Sequence, residues 1–339
     1  MKTIGSNFLF SLVESFFVDY LRRQRGASVH TVRAYRDALK LLFEFVAKRR
    51  RREVSSLNLS DFDADAVAEF LDHVENGRKN SATTRNCRRA AIRCFFKHLI
   101  RNDLEHSQQY MRVLAIPAKR ARERSVAYLE PRDVRAVIAI PDRRTADGQR
   151  DYALLLFLYN SGARVSEAID VRWEDVHLSA FRQVQLRGKG KKDRTVPLWK
   201  ETADALFRLR KSVEGHDRQH IFLNRAGLPL TRCGVAYIID KHVSAAAERG
   251  NPRLARKKVT PHVLRHSCAV ALLQSGTDLV VIRDYLGHSS VSTTGRYLKT
   301  NLQMKRDALN TFWKHSGIGS AKGDRWKPTP NLLAFLHSL

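Results

Sequence analysis

The sequence predicts a mainly α-helical protein in two parts: an all-helical N-terminal domain, and a mostly helical C-terminal domain carrying a small antiparallel β-sheet. Three observations predict it. Segments 28–48 and 81–100 place apolar residues at helical spacing. One short stretch, 181–199, alternates at period two around a GKGKK turn. Ahead of that stretch, AIPAKRARERSVAYLEP has two prolines and little apolar periodicity, the composition of an exposed connector. With 339 residues the chain is long enough for two domains, each able to bury a core. The expected division is 1–116, a connector at 117–126, a second domain at 127–315 and a tail at 316–339.

The opening segment MKTIGSNFLFSLVESFFVDY is apolar, but Glu14 and Asp19 interrupt it and no small-residue cleavage site follows, so it does not read as a signal peptide. No run approaches the ~18 uncharged apolar residues of a membrane span. From Ser28, Val32, Tyr35, Leu39, Leu42, Phe43 and Val46 make one apolar stripe, with Arg33, Arg36 and Lys40 off it. DADAVAEFLDHV supplies a second helix. In the third, Ser81 is the expected N-cap; Cys87, Ala91, Cys94, Phe95 and Leu99 are the expected buried face, and Arg85, Arg88, Arg89 and Arg93 the outward one. Two helices with matching arginine-rich sides make Arg33, Arg36, Arg85, Arg88, Arg89 and Arg93 candidate DNA contacts, against the blander reading of a solvated face.

Beyond the connector, RDYALLLFLYNSGARVSEAIDVRWEDV reads as two helices broken at Gly162. Val184 and Leu186, then Val196 and Leu198, point to the two arms of a hairpin. Helices are expected at 200–212, 233–248, 261–275, 278–286 and 293–313.

Lysine and arginine number 61 against 34 acids, a formal charge of +27 that self-repels unless a polyanion neutralises it. The basic residues are spread along the chain and not gathered beside a lipid-anchoring helix, which favours nucleic acid over a membrane surface. The cysteines at 87, 94, 233 and 268 show no C-x-x-C pairing, so neither a zinc ribbon nor a disulfide framework is suggested, and reduced cytoplasmic thiols fit best.

Five segments carry candidate chemistry: GARVSE with Arg164, GKG with Lys189, TPHVLRH with His262 and Arg265, LGH with His288, and TTGRYL with Tyr297. Singly each is weak, since Tyr297 alone reads as an ordinary tyrosine and Lys189 as a hairpin tip. Together they make a consistent set. His262 and Arg265 stand three apart on one helix and share a face. Adding Arg164 gives two planar guanidiniums, which match the non-bridging oxygens of a phosphate and stay charged at any working pH. A phenol is only ~0.1% ionised at pH 7, so a nucleophilic Tyr297 needs a proton acceptor and a cationic neighbourhood, which the histidines and arginines supply. A departing 5′-oxygen needs a proton, which Lys189 on a hairpin can give.

These motifs resemble those of the tyrosine recombinase (phage integrase) family. The family's first arginine in G-L-R-x-S-E falls on Arg164, with Ala163 replacing the usual leucine, and its acidic residue on Glu167. Its hairpin lysine falls on Lys189, with Lys192 and Arg194 keeping the G-K-G-x-K-x-R pattern and joining the candidate DNA contacts. Its H-x-L-R-H box is read as His262, Leu264, Arg265 and His266, its L-G-H as ending in His288, and its nucleophile as Tyr297. The resemblance covers residues 8 to 313. It implies the tyrosine recombinase fold, with the N-terminal helices as a core-binding domain, and strand cleavage through a 3′-phosphotyrosyl intermediate with neither metal, ATP nor other cofactor. It further implies tetramers on double-stranded recombination sites, with room for a partner recombinase, in a cytoplasmic, DNA-associated bacterial protein. The closing NLLAFLHSL is a candidate subunit contact, with packing on its own domain the equal alternative.

Three rivals are weaker. His262 and His266 stand like a zinc pair, but Val263, Leu264 and Arg265 between them supply no glutamate base and put a cation beside the metal; His266 then reads as structural. A type IB topoisomerase shares the chemistry but reseals the same strand. A catalytically inactive DNA-binding protein would not need every expected position filled.

Overall fold

A computed structural model of the chain describes residues 4–121, 127–179, 181–188, 193–212 and 216–287. The chain forms two compact units, residues 1–123 and 124–339.

The first unit is all-helical. Helix α1 (Ile4–Ser15) runs into a π-helical segment, Phe16–Gln24, followed by α2 (Val29–Arg50), α3 (Ala64–Asp72), α4 (Ala82–Asn102) and α5 (Ser107–Ala115). Local chemistry sets the starts: Ser28, Asp63 and Ser81 each accept a hydrogen bond from the backbone N–H three residues on, at 3.3, 2.7 and 3.2 Å. The expected stripe of α2 turns inward, with Leu39, Leu42 and Val46 buried, and the core closes around Phe16, Phe70, Phe95 and Phe96. Phe16 meets Phe95 edge-on at 5.2 Å, a favoured aromatic geometry. Helix α5, which the sequence reading passed over, buries Tyr110; its hydroxyl donates to Asp103 at 2.5 Å, and burial followed by that carboxylate pushes the phenol upward.

Helix α4 departs from expectation. Its buried run begins at Ala91 and continues through Ile92, Phe95, Phe96 and Leu99, while Cys87 is exposed. In the first turns the half-buried positions are Arg85, Arg88 and Arg89, so the side that turns inward there is not that of Cys87. The arginine side is partly occupied as well: Arg89 Nε donates to the Ile116 carbonyl at 2.6 Å and Arg85 lies 3.7 Å from Glu75.

The second unit contains α6 (Pro131–Ile138), α7 (Ala146–Ser161), α8 (Val165–Asp170), α9 (Lys200–Ser212), α10 (Arg232–Glu248), α11 (Pro261–Gln274) and α12 (Leu279–Leu286). Between α8 and α9 lie β1 (Val176–His177), β2 (Gln183–Arg187) and β3 (Asp193–Pro197), an antiparallel sheet in the order β1-β2-β3. Val184 pairs with Val196 and Leu186 with Arg194. Val184, Leu186 and Val196 are buried, as the alternation demanded; the two-residue β1 is too short to show a period. Helix α7 is buried on nearly every side, from Ala153 through Leu158, and is the axis of the unit. Residues 293–313, expected to be helical, lie outside the described residues. Among the described residues no helix is long and apolar enough to cross a membrane.

Candidate active site

The site is built where α7 and α12 end and where α8, β3 and α11 begin. Helix α7 stops at Gly162, whose φ of +56° is the left-handed C-cap that a glycine adopts cheaply. A Cβ at Gly162 would stand 2.5 Å from Leu286 Cδ2 and 3.3 Å from Cys268 Sγ, so α7, α11 and α12 meet closely only because this residue has no side chain. Two residues later the chain enters α8 through Arg164, whose backbone N–H donates to Glu167 Oε2 at 2.7 Å. The Arg164 guanidinium donates to Glu167 Oε1 at 2.6 Å. From β3, Arg194 presents a two-pronged fork to the same carboxylate, Nη1 to Oε1 at 3.0 Å and Nη2 to Oε2 at 2.8 Å.

Those guanidiniums also reach the end of α12, and Arg265 from α11 joins them. Arg194 Nε donates to the Tyr285 carbonyl at 2.9 Å, Arg265 Nη2 to the Leu286 carbonyl at 2.5 Å and Arg164 Nη2 to the Gly287 carbonyl at 2.8 Å. Arg265 Nη1 donates to the Gly162 carbonyl at 2.5 Å. A helix C-terminus leaves its last carbonyls without helical donors and carries partial negative charge, so it attracts cations. Here it takes three arginines on three successive carbonyls, immediately before His288.

Glu167 makes this concentration of positive charge tolerable. It is 5% exposed. Burial alone would raise its carboxyl, but the hydrogen bond and charge of Arg194, followed by the donors of Arg164, pull it down to about 2. It is therefore ionised throughout the working range. Arg265 is 3% exposed, whereas the Arg164 side chain keeps 32% of its surface open. Arg164 is the guanidinium offered outward.

Thr260 caps α11, accepting from Val263 N at 3.3 Å. His262, in its first turn, is exposed, and its ring centroid lies 6.5 Å from that of His266. Burial first, then the neighbouring His262 and Arg265, lowers His266 to about 4, which leaves it neutral near pH 7. Cys268, fully enclosed, has its thiol pushed up to about 12 by burial and is inert as a nucleophile.

The structure thus joins Arg164, Glu167, Arg194 and Arg265 into one network and places His262 one turn ahead of Arg265. Lys189, Lys192, His288 and Tyr297 lie outside the described residues. Arg194, read beforehand as a DNA contact, has its side chain only 9% exposed and is spent on Glu167 and Tyr285. Among the other candidate contacts, Arg33 and Arg36 are exposed, with Arg36 on Asp37 at 2.7 Å; Arg85, Arg88, Arg89 and Arg93 are half-buried. Sequence reasoning missed Asn160, in the last turn of α7 and 2% exposed. Its amide donates to the Pro197 carbonyl at 3.3 Å and its Oδ1 accepts from Trp199 N at 2.8 Å, while its own carbonyl takes the Tyr285 hydroxyl at 2.5 Å. A polar residue following the apolar run ALLLFL of residues 153–158 was the available signal. Among the described residues, Asp103, Glu105 and His106 could together approach a metal, but they sit in the first unit and Asp103 already accepts from Tyr110 and His106.

A helical unit followed by a helical unit with a small three-stranded sheet, and arginines from three separate motifs gathered at one helix end, define a two-part enzyme built to handle anionic groups. Comparison with known proteins agrees in detail. Residues 127–317 match the model described as "Phage integrase family" and residues 15–103 that described as "Phage integrase, N-terminal SAM-like domain". The chain belongs to the phage integrase family, the tyrosine-type site-specific recombinases. It is 40% identical over 328 residues, 97% of each chain, to y4rC of Sinorhizobium fredii, named as an integrase/recombinase. To tyrosine recombinase XerC of Pelobacter propionicus it is 32% identical, covering 84% of this chain and 89% of that one. To XerD of Halalkalibacterium halodurans it is 31% identical, covering 92% and 99%. Its fold is similar to that of XerH site-specific recombinase bound to a palindromic difH substrate, with a TM-score of 0.68 at 22% identity, covering 93% and 91% of the two chains. The Tn1549 transposon integrase in complex with transposon right end DNA gives 0.68 at 16% identity, covering 90% and 99%.

Proposed function

We propose that the protein cleaves and rejoins double-stranded DNA at specific recombination sites through a covalent bond to Tyr297. The Tyr297 phenolic oxygen attacks the scissile phosphorus while its proton passes to His262 or His288. The bond from phosphorus to the 5′-oxygen breaks, and Lys189 protonates that oxygen. One strand end remains as a 3′-phosphotyrosyl ester and the other as a free 5′-hydroxyl. The hydroxyl of a partner strand then attacks the ester and releases Tyr297. The number of phosphoester bonds is unchanged at every stage, so no ATP is required, and the arginines and Lys189 take the charge-neutralising and proton-donating roles that a metal would otherwise fill.

Arg164 and Arg265 bring positive charge to the non-bridging oxygens as the phosphorus becomes five-coordinate; one such preorganised donor is worth ~10²–10³ in rate. The observation that carries this reading is their joint anchorage on the carbonyls of Leu286 and Gly287, which commits both guanidiniums to the place where the chain enters His288. The basic N-terminal unit holds the duplex, and tetramers acting on two duplexes in the cytoplasm fit the reading. The family assignment and the DNA-bound state of the similar recombinases support it.

The test uses nicked duplexes recovered by covalent capture from a random-sequence library. On these, the protein is expected to form an SDS-resistant adduct in the presence of EDTA, and Tyr297→Phe to bind without forming it. An adduct that persists in Tyr297→Phe, or that EDTA abolishes, contradicts the mechanism. Relaxation of supercoils without strand exchange would instead favour a topoisomerase-like role.

A further inference from the structure

We infer that Arg249, Arg253 and Arg256, with Arg132 beside them, form a fixed contact surface for the phosphodiester backbone of duplex DNA. The inference rests on the reading of the protein as a DNA strand transferase. It moves part of the duplex grip to a segment outside the candidate contacts named from the sequence.

Residues 249–258, RGNPRLARKK, hold five basic residues and no acid. A block of like charges ordinarily repels itself into disorder. Here it is anchored. Leu254 is completely buried in the core of the second unit, and the short 3₁₀ turn Pro252–Arg256 is built around it. Asp133, 2% exposed in the first turn of α6, accepts from Asn251 Nδ2 at 2.9 Å and from Lys257 Nζ at 2.8 Å, one clamp at each end of the turn. Burial alone would raise the Asp133 carboxyl, but Lys257 and then Asn251 hold it below the usual carboxylate range, so the clamp keeps its charge.

What the clamp leaves over faces outward. Arg132, Arg249, Arg253, Arg256 and Lys258 are exposed and make no hydrogen bond or ion pair with any described residue. Arg132, Arg249 and Arg253 line one groove of about 620 Å³, whose lining contains no carboxylate. Guanidiniums set around one groove without a counter-charge repel one another, and a polyanion relieves that repulsion. Their planar forks suit phosphate oxygens. No large apolar side chain is exposed in this segment, which separates it from a lipid-binding surface. Several arginines of the first unit are less available: Arg36 is on Asp37 at 2.7 Å, Arg85 lies 3.7 Å from Glu75, and Arg89 Nε donates to the Ile116 carbonyl at 2.6 Å. The basic run also leads into the site. Buried Val259 alone separates Lys258 from Thr260, the cap of the helix that carries His262 and Arg265.

The experiment compares the full chain with Arg132→Gln, Arg249→Gln, Arg253→Gln, Arg256→Gln and the variant carrying all four. Arg144→Gln is the control, because that guanidinium is already paired with Asp142 at 2.9 Å. Binding to the captured nicked duplex and to an unrelated random-sequence duplex is titrated over a range of salt. Each single variant is expected to lower the slope of log affinity against log salt by about one on both duplexes, and the fourfold variant by about 3.6. Between about 50 and 200 mM salt the fourfold variant then loses about 150-fold less affinity than the wild-type chain does. Single-turnover cleavage of fully bound duplex stays within a few-fold of wild type, because these residues hold the duplex and not the reacting atoms. Urea unfolding, which reports whether the exposed substitutions leave the fold intact, is unchanged.

A wild-type slope in the fourfold variant overturns the proposal. So does a drop in Arg144→Gln equal to that of the single variants, which would make the effect one of net charge and not of place. The binding arm needs no chemistry. If the wild-type chain forms no SDS-resistant adduct, the strand-transfer reading fails while the slopes still decide the contact surface. If the adduct forms and the slopes do not move, this inference alone is lost.

Discussion

Glu167→Gln is the substitution that best exposes the electrostatic design. The glutamine keeps the shape but leaves the charges of Arg194 and Arg164 without a buried counter-charge. Breaking a buried ion pair from one side costs about 3–5 kcal/mol. An independent route gives a similar figure: the carboxyl falls from 4.5 to about 2 on folding, and at 1.36 kcal/mol per pH unit this is about 3 kcal/mol. The sign follows from the direction. A carboxyl lowered by folding contributes its full stabilisation above its unfolded value, near 4.5, and loses it as the pH falls toward 2. Urea unfolding of both proteins, followed by tryptophan fluorescence from pH 7 to pH 2.5, measures it. The stability difference should be about 3 kcal/mol at pH 6–7 and shrink steeply below pH 4.5. Taking the difference cancels the general acid response of so basic a chain. A pH-independent difference would refute the reasoning.

Other expectations follow from single observations. Gly162→Ala forces a Cβ to within 2.5 Å of Leu286 and should cost roughly 1–3 kcal/mol in urea unfolding while slowing covalent capture. Asn160→Ala removes a buried hub and leaves the Trp199 N–H without its acceptor, a loss of about 1–3 kcal/mol by the same assay. DNA affinity should fall ~10³–10⁵ between about 50 and 200 mM salt if 6–10 phosphates are neutralised. A flat response in a filter-binding titration would assign the charge of +27 to another purpose.

Much of this was legible from residue spacing. The α2 stripe, the hairpin alternation and the glycine stop before Arg164 each follow from a local periodicity that the packed structure obeys. Long-range partners were not legible. The period-two alternation puts Arg194 on the inward face with Val196 and Leu198, but no local signal names Glu167 as its partner. Cys87 fits the helical period of α4 as well as Phe95 does, yet it is exposed while Arg85, Arg88 and Arg89 beside it are half-buried, a choice of side that local spacing does not reveal. The buried pair of Asp151 and His242, 2.8 Å apart, joins α7 to α10 across ninety-one positions and was equally invisible.

The most direct measurement is to digest the captured protein–DNA adduct and sequence the peptide left on the DNA. The predicted product is a single peptide containing Tyr297, esterified to a 3′-phosphate and paired with a free 5′-hydroxyl on the released strand. A peptide carrying any other residue, or a phosphate left on the 5′ end, would contradict the account.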